Sequence, residues 1–122
     1  MTSLPTDRDD ANGIACSAES GTTRIVLRGD IDAALREQAS TAMAFLVSQD
    51  LPVVLDTGRV AFIDSSGLAF LVQVYKVCVE SALGLVLLDP PENLVDLLEM
   101  LGMGDRFTIE RSGSQESVAS GA

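Results

Sequence analysis

Two short, uninterrupted aliphatic runs, Val53-Val54-Leu55 and Gly84-Leu85-Val86-Leu87-Leu88, constrain this chain more than any other feature. They have the length and composition of strands enclosed on both faces, as in parallel sheets. Around them the apolar period changes to that of helices. Behind Asp32, a candidate N-cap, Leu35, Ala39, Ala42, Met43 and Leu46 share one face of a helix running to about Gln49. A second helical pattern spans Ser66 to Glu80. A third follows Asp89-Pro90-Pro91-Glu92, which offers an acid to cap and prolines for the first turn. Its stripe of Leu94, Leu97, Leu98 and Leu101 ends at Gly102, placed to stop it. Upstream, Gly13–Ala18 and Thr22–Arg28 alternate as strands joined by a Ser20-Gly21 hairpin turn, and Gly29 to Asp32 ends the second of them. Asp56 to Arg59 has turn composition, and Arg106–Glu110 completes the set as a last strand. The order ββαβαβαβ predicts one α/β domain, a small mixed β-sheet with right-handed crossovers and helices packed against it. It occupies residues 13–111, with a flexible N-terminus over 1–12 and a disordered Ser/Gly-rich tail over 112–122.

Charge and residue usage remove several function classes. The chain has 122 residues, enough for one core, and 47% of them are hydrophobic, which excludes a disordered chain. Eighteen acids against eight bases give a net charge of -10, which argues against nucleic acid or an anionic membrane as partner. Histidine is absent, so no Ser-His-Asp or Cys-His arrangement is possible, and no Gly-x-Ser-x-Gly elbow is present. Cys16 and Cys78 lack metal-ligand spacing and read as small buried apolar residues in a reducing compartment. No cofactor or metal is expected, and no enzymatic role. Residues 1–13 carry no basic start or apolar core of a signal peptide, and no apolar run approaches a membrane span. The expectation is a cytoplasmic protein.

The most informative stretch is Ala61-Phe62-Ile63-Asp64-Ser65-Ser66-Gly67-Leu68, where an apolar run meets an acid, two hydroxyls and a glycine before the second helix. Asp and Ser at a helix mouth are what its unpaired N–H groups need, so capping alone accounts for them. Display of a serine for modification is the other reading. On a wheel of 100° per residue, Leu68, Leu71, Val72, Tyr75 and Val79 form the core face of this helix. A second apolar stripe, Phe70, Val74 and Val77, lies nearly in line with Ser66. Neighbouring helices cover that stripe, or it is an exposed partner surface.

These segments resemble a known family. Val53-Val54-Leu55-Asp56 followed by Val60 to Leu68 resembles the signature of bacterial anti-sigma factor antagonists, which are STAS-domain proteins. Arg28-Gly29-Asp30-Ile31-Asp32, Leu88-Asp89-Pro90-Pro91 and Leu101-Gly102-Met103 are similar to further segments of that family, in the same order. The resemblance implies a phosphorylation switch. An anti-sigma factor that is itself a serine kinase, supplying ATP and Mg, would phosphorylate Ser65. The unphosphorylated antagonist binds it and frees the sigma factor; a phosphatase resets the phosphorylated form. Asp30 and Asp64 match acids near the kinase contact. Ser66, Gly67 and the stripe Phe70, Val74 and Val77 complete the expected partner surface. Within this division Ser66 suits the helix cap and Ser65 the phosphate. No Arg cluster accompanies Ser65, with Arg59 the nearest base in sequence. A non-switching STAS scaffold subunit of a transport or stress-sensing complex is the alternative.

Overall fold

The hairpin closes on two residues in the left-handed region. Strands β1 (Gly13–Glu19) and β2 (Thr22–Ile31) pair antiparallel, with Ser20 at φ 53° and Gly21 at φ 77° between them. Two consecutive positive φ values make the turn whose twist matches that of the flanking strands. A single 3-10 turn (Ala33–Leu35) leads into α1 (Arg36–Gln49). Strand β3 (Val53–Ile63), α2 (Ser65–Glu80), β4 (Leu85–Leu88), α3 (Glu92–Met100) and β5 (Thr108–Glu110) follow. This computed structural model describes residues 12–112; the ends expected to be loose, 1–11 and 113–122, lie outside the described residues. Asn12 and Ser112, counted with those ends, are tied down. The Asn12 side chain accepts from the Asp30 N–H at 2.8 Å, and Ser112 donates through both its N–H and its hydroxyl to Asp89.

The sheet runs β1-β2-β3-β4-β5, parallel everywhere except the β1–β2 hairpin. All three crossovers step the same way, so right-handed connections place their helices on one face. Burial agrees. Ile25, Leu27, Val53, Leu55 and Leu87 are buried against the helices, where Leu46, Leu71, Leu94 and Leu98 meet them. Each such side chain contributes about 1.5–3 kcal/mol by leaving water. The alternate residues Arg24, Val26, Val54, Asp56 and Val86 are only half-buried on the opposite face. There Arg24 reaches diagonally across to Asp56, with a 2.6 Å ion pair. The aliphatic runs therefore belong to strands covered on one side and half-covered on the other, not enclosed on both.

The helix ends explain where chain direction changes. At the end of α3, Met103 N–H bonds to Leu98 O and Gly102 N–H to Glu99 O, with Gly102 at φ 74°. This paired 6→1 and 5→2 closure is the C-terminal motif the glycine is suited to. Ala82 closes α2 in the same way at φ 56°, without a glycine.

Several local expectations are corrected. Asp56 to Arg59 is not a turn between strands but part of β3. The β2–β3 register shifts between Val26 and Arg28, so the extra residue is taken up as a bulge within a continuous strand. Strand β2 continues to Ile31, and β4 and β5 begin at Leu85 and Thr108. Helix α3 is not capped by Asp89. Pro91 occupies the cap position without a side-chain bond, while Asp89, at φ 52°, faces Ser112. Hydrogen bonds from the Ser112 hydroxyl and N–H hold the Asp89 carboxyl below the usual carboxylate range.

The faces of α2 are also reassigned. Phe70 and Val74 are 8% and 0% exposed and belong to the core together with Leu71 and Cys78, whereas Val79, expected inside, is 59% exposed. Val77 is half-buried and packs on the core. The stripe is thus covered, and an exposed partner surface at Phe70 and Val74 is ruled out by their burial. Phe70→Ala is expected to cost about 3–5 kcal/mol, the usual range for emptying a buried phenyl site. Urea unfolding checks this; a loss under about 1 kcal/mol would place the ring at the surface instead.

Candidate functional site

The tip of α2 is built by one carboxylate. Asp64 has extended backbone, φ -104° and ψ -169°, and its Oδ1 accepts the N–H groups of Ser66 at 2.8 Å and Gly67 at 3.1 Å. Its own carbonyl accepts the Leu68 N–H at 2.9 Å. Capping, expected of Ser66, is therefore carried by Asp64, and both serine hydroxyls stand exposed on the first turn. The helix starts at Ser65, one residue earlier than the sequence pattern indicates.

A second contact fixes the tip against the sheet. Asp64 N–H donates to the carbonyl of Ile31, the last residue of β2, at 3.2 Å. Gly67 then passes so close that a β-carbon there would lie 2.5 Å from Ile31 O and 2.7 Å from Ile63 Cγ1. Gly67 is buried, and its role is this close approach. Asp30, one residue before Ile31, is exposed and opposite Phe62 in the β2–β3 register. The expected site residues Asp30, Asp64, Ser65, Ser66 and Gly67 thus gather at one end of the sheet. Phe70 and Val74 lie beneath them in the core, and Val77 is nearly two helical turns beyond Phe70.

The two serines face different depressions. Ser65 heads a groove of about 390 Å³ bordered by Leu68, Ala69, Val72, Lys76 and Leu101. Leu101 is 53% exposed and its neighbour Met100 81% exposed, an apolar pair standing in water beside this groove. Ser66 instead lines a cleft of about 280 Å³ between α1 and α2. The sequence pattern places Leu68 and Val72 in the core and Leu101 on the buried stripe of α3. The signal available was the position of Leu101, next to the terminating Gly102 and past the last full helical turn. Phe62, 51% exposed beside Asp30, was likewise not singled out.

The chemistry open to this site is narrow. Among the described residues no cluster of His, Cys, Asp or Glu could hold a metal ion, and no helix is long and apolar enough to cross a membrane. Burial pushes the Cys78 thiol up to about 11 and raises that of Cys16, so neither resembles an activated nucleophile. Among the described residues, no lysine or arginine bonds to Ser65, Ser66 or Asp64.

Gly67→Ala is expected to destabilise the protein by about 1–3 kcal/mol, the usual cost of overpacking, because its β-carbon meets backbone as well as side chain. Thermal unfolding followed by circular dichroism reads this directly. An unchanged midpoint would mean that the α2 tip is not seated on Ile31.

The fold has known counterparts. The family model described as "Mlab, STAS domain" matches residues 14–110. No curated protein matches the sequence. Among solved structures, the anti-sigma factor antagonist SpoIIAA in its unphosphorylated form is similar at 16% identity and a TM-score of 0.66, covering 90% of this chain and 98% of that one. The Bacillus cell fate determinant SpoIIAA in the phosphorylated form is similar at 18% identity and a TM-score of 0.68, covering 90% and 100%. An anti-sigma factor antagonist from Mycobacterium paratuberculosis is similar at 19% identity and a TM-score of 0.69, covering 91% and 95%. At these identities the structures establish a shared SpoIIAA-like fold, and the family match spans most of the described residues. The chain belongs to the STAS-domain family.

Proposed function

We infer that this chain is an anti-sigma factor antagonist that binds an anti-sigma factor with serine kinase activity and is released by phosphorylation of Ser65. The observation that carries this reading is the position of Ser65. Its hydroxyl is exposed on the first turn of α2 and heads the groove that ends beside Leu101, while Asp64 alone caps the helix. A partner seated in that groove meets Ser65, and the acids Asp64 and Asp30 at the same end of the sheet add negative charge suited to a basic surface. The likeness to SpoIIAA, solved in unphosphorylated and phosphorylated forms, supports the same reading. The kinase would supply ATP and Mg, a separate phosphatase would reset Ser65, and the chain would work in the cytoplasm.

Phosphate at Ser65 adds about -1.5 to -2 charges at neutral pH. It would sit at the positive end of α2, which favours it, and beside Asp64, which does not. Within the isolated domain these effects oppose one another. In a docked complex the added charge meets a desolvated partner, where unpaired charge costs about 2–5 kcal/mol. At 1.4 kcal/mol per decade that is about 30- to 4,000-fold in affinity.

The alternative, a non-switching STAS scaffold of a transport or stress-sensing complex, draws on the description of the matching family model as Mlab. The same groove would serve it without modification of Ser65.

The test combines the chain with its cognate anti-sigma kinase and Mg-ATP, read by intact mass. One added phosphate is expected, lost in Ser65→Ala and retained in Ser66→Ala. Calorimetry is expected to show Ser65→Ala binding the kinase and Ser65→Asp binding at least tenfold more weakly. Phosphate on Ser66 alone, or equal affinities of Ser65→Ala and Ser65→Asp, would overturn the switch and leave the scaffold reading.

A further inference from the structure

The cleft on the Ser66 side of α2 adjoins the groove headed by Ser65, sharing Ala69 and Gln73 with it, but its lining outside α2 comes from α1, the 3-10 turn and the sheet end. Its wall is apolar, formed by Ile14, Ile31, Leu35, Met43 and Phe70. Its polar lining is sparse, with the hydroxyls of Ser40 and Ser66 and the amide of Gln73. Asp32 is the only acid and Arg36 the only base among the residues that line it. Asp32 is engaged, since its Oδ1 accepts the Ala34 N–H at 3.0 Å. The Arg36 guanidinium is exposed and, among the described residues, has no hydrogen bond or ion pair.

Size and charge together select an occupant. A sealed apolar cavity of about 150 Å³ takes one benzene, so a space of about 280 Å³ accommodates about ten non-hydrogen atoms by proportion. Apolar walls with a few polar groups are the usual make-up of small-molecule sites. A guanidinium on the lining with no hydrogen-bond partner among the described residues favours a carboxylate, to which it can donate two parallel hydrogen bonds, although the charge of Asp32 on the same lining offsets part of that attraction. We propose that the α1–α2 cleft binds a small amphipathic carboxylate, with an aliphatic or aromatic body of six to eight carbons against Ile31, Met43 and Phe70 and its head on Arg36. Such a ligand would touch Ser66 and Gly67 at the α2 tip, and the site stands independently of whether Ser65 is phosphorylated.

The experiment titrates octanoate, octanol and octylamine into the full ¹⁵N-labelled chain and follows amide shifts. Octanoate is expected to shift Ser66, Gly67, Ala39 and Met43 saturably, with a dissociation constant on the order of 0.1–1 mM, as expected for a ligand of this size. Octanol and octylamine should bind more weakly. Arg36→Gln should weaken octanoate about fivefold while leaving octanol unchanged, the loss expected for one exposed ion pair. Ser40→Phe, at an exposed lining position, should block all three probes, and its amide spectrum verifies folding. Equal binding of the three probes, no effect of Arg36→Gln, shifts confined to the Ser65–Leu101 groove, or no saturation would each overturn the proposal.

Discussion

The close seating of the α2 tip on the end of β2 governs the rest of the site. The Ile31 carbonyl receives the Asp64 N–H, and Gly67 leaves no space for a β-carbon above the same carbonyl. Asp64 then turns its side chain onto the next two N–H groups of the helix. These contacts use backbone and one carboxylate, so neither serine hydroxyl is needed to start the helix. Ser65 and Ser66 stand outward at a fixed point between two depressions, one on each side of α2.

That division would let a charge placed on Ser65 act as a switch without a change of fold. A phosphate at the first helical position would meet a favourable dipole, with Asp64 already neutralising part of it. The opposing terms are each on the order of 1 kcal/mol at an exposed site. Against a partner surface the same charge is far more costly, because water no longer screens it. The Ser65 groove and its exposed neighbours Leu101 and Met100 supply apolar contact area, and the acids at the tip supply sign. Histidine is absent and burial raises the Cys78 thiol, so neither supplies a base or an activated nucleophile near neutral pH.

Features determined by neighbouring residues were legible in the sequence. Ser20-Gly21 predicted a tight hairpin turn and Gly102 a helix stop, and both have their left-handed backbone; Asp32 does cap, but it caps the 3-10 turn Ala33–Leu35 ahead of α1, whose own cap position, Leu35, has no side-chain bond. The element order and mixed sheet followed from the alternation of aliphatic runs with helical patterns. What failed depended on distant partners. Asp56-Thr57-Gly58 has the same local preferences in a turn and in a bulge, and pairing with β2 decides for the bulge. Asp89 looked like a cap but meets Ser112, twenty-three residues later. The core face of α2 was misplaced by roughly one residue's rotation, about 100°. With apolar residues on most sides of that helix, only its seating at Gly67 fixes which side meets the sheet. The gathering of Asp30 with Asp64 and Ser65 was legible through the family resemblance; the two flanking depressions were not, since each combines residues from separate elements.

The central claim is that charge at Ser65 changes what the α2 tip binds without loosening how it is held. The most direct measurement is the free energy of urea unfolding for the unmodified chain and for the chain carrying a single phosphate at Ser65. Values within about 1 kcal/mol of each other are expected, because the opposing local effects are of that size. A loss above about 3 kcal/mol, well beyond those effects, would contradict this by showing that phosphate acts by dislodging the helix from Ile31.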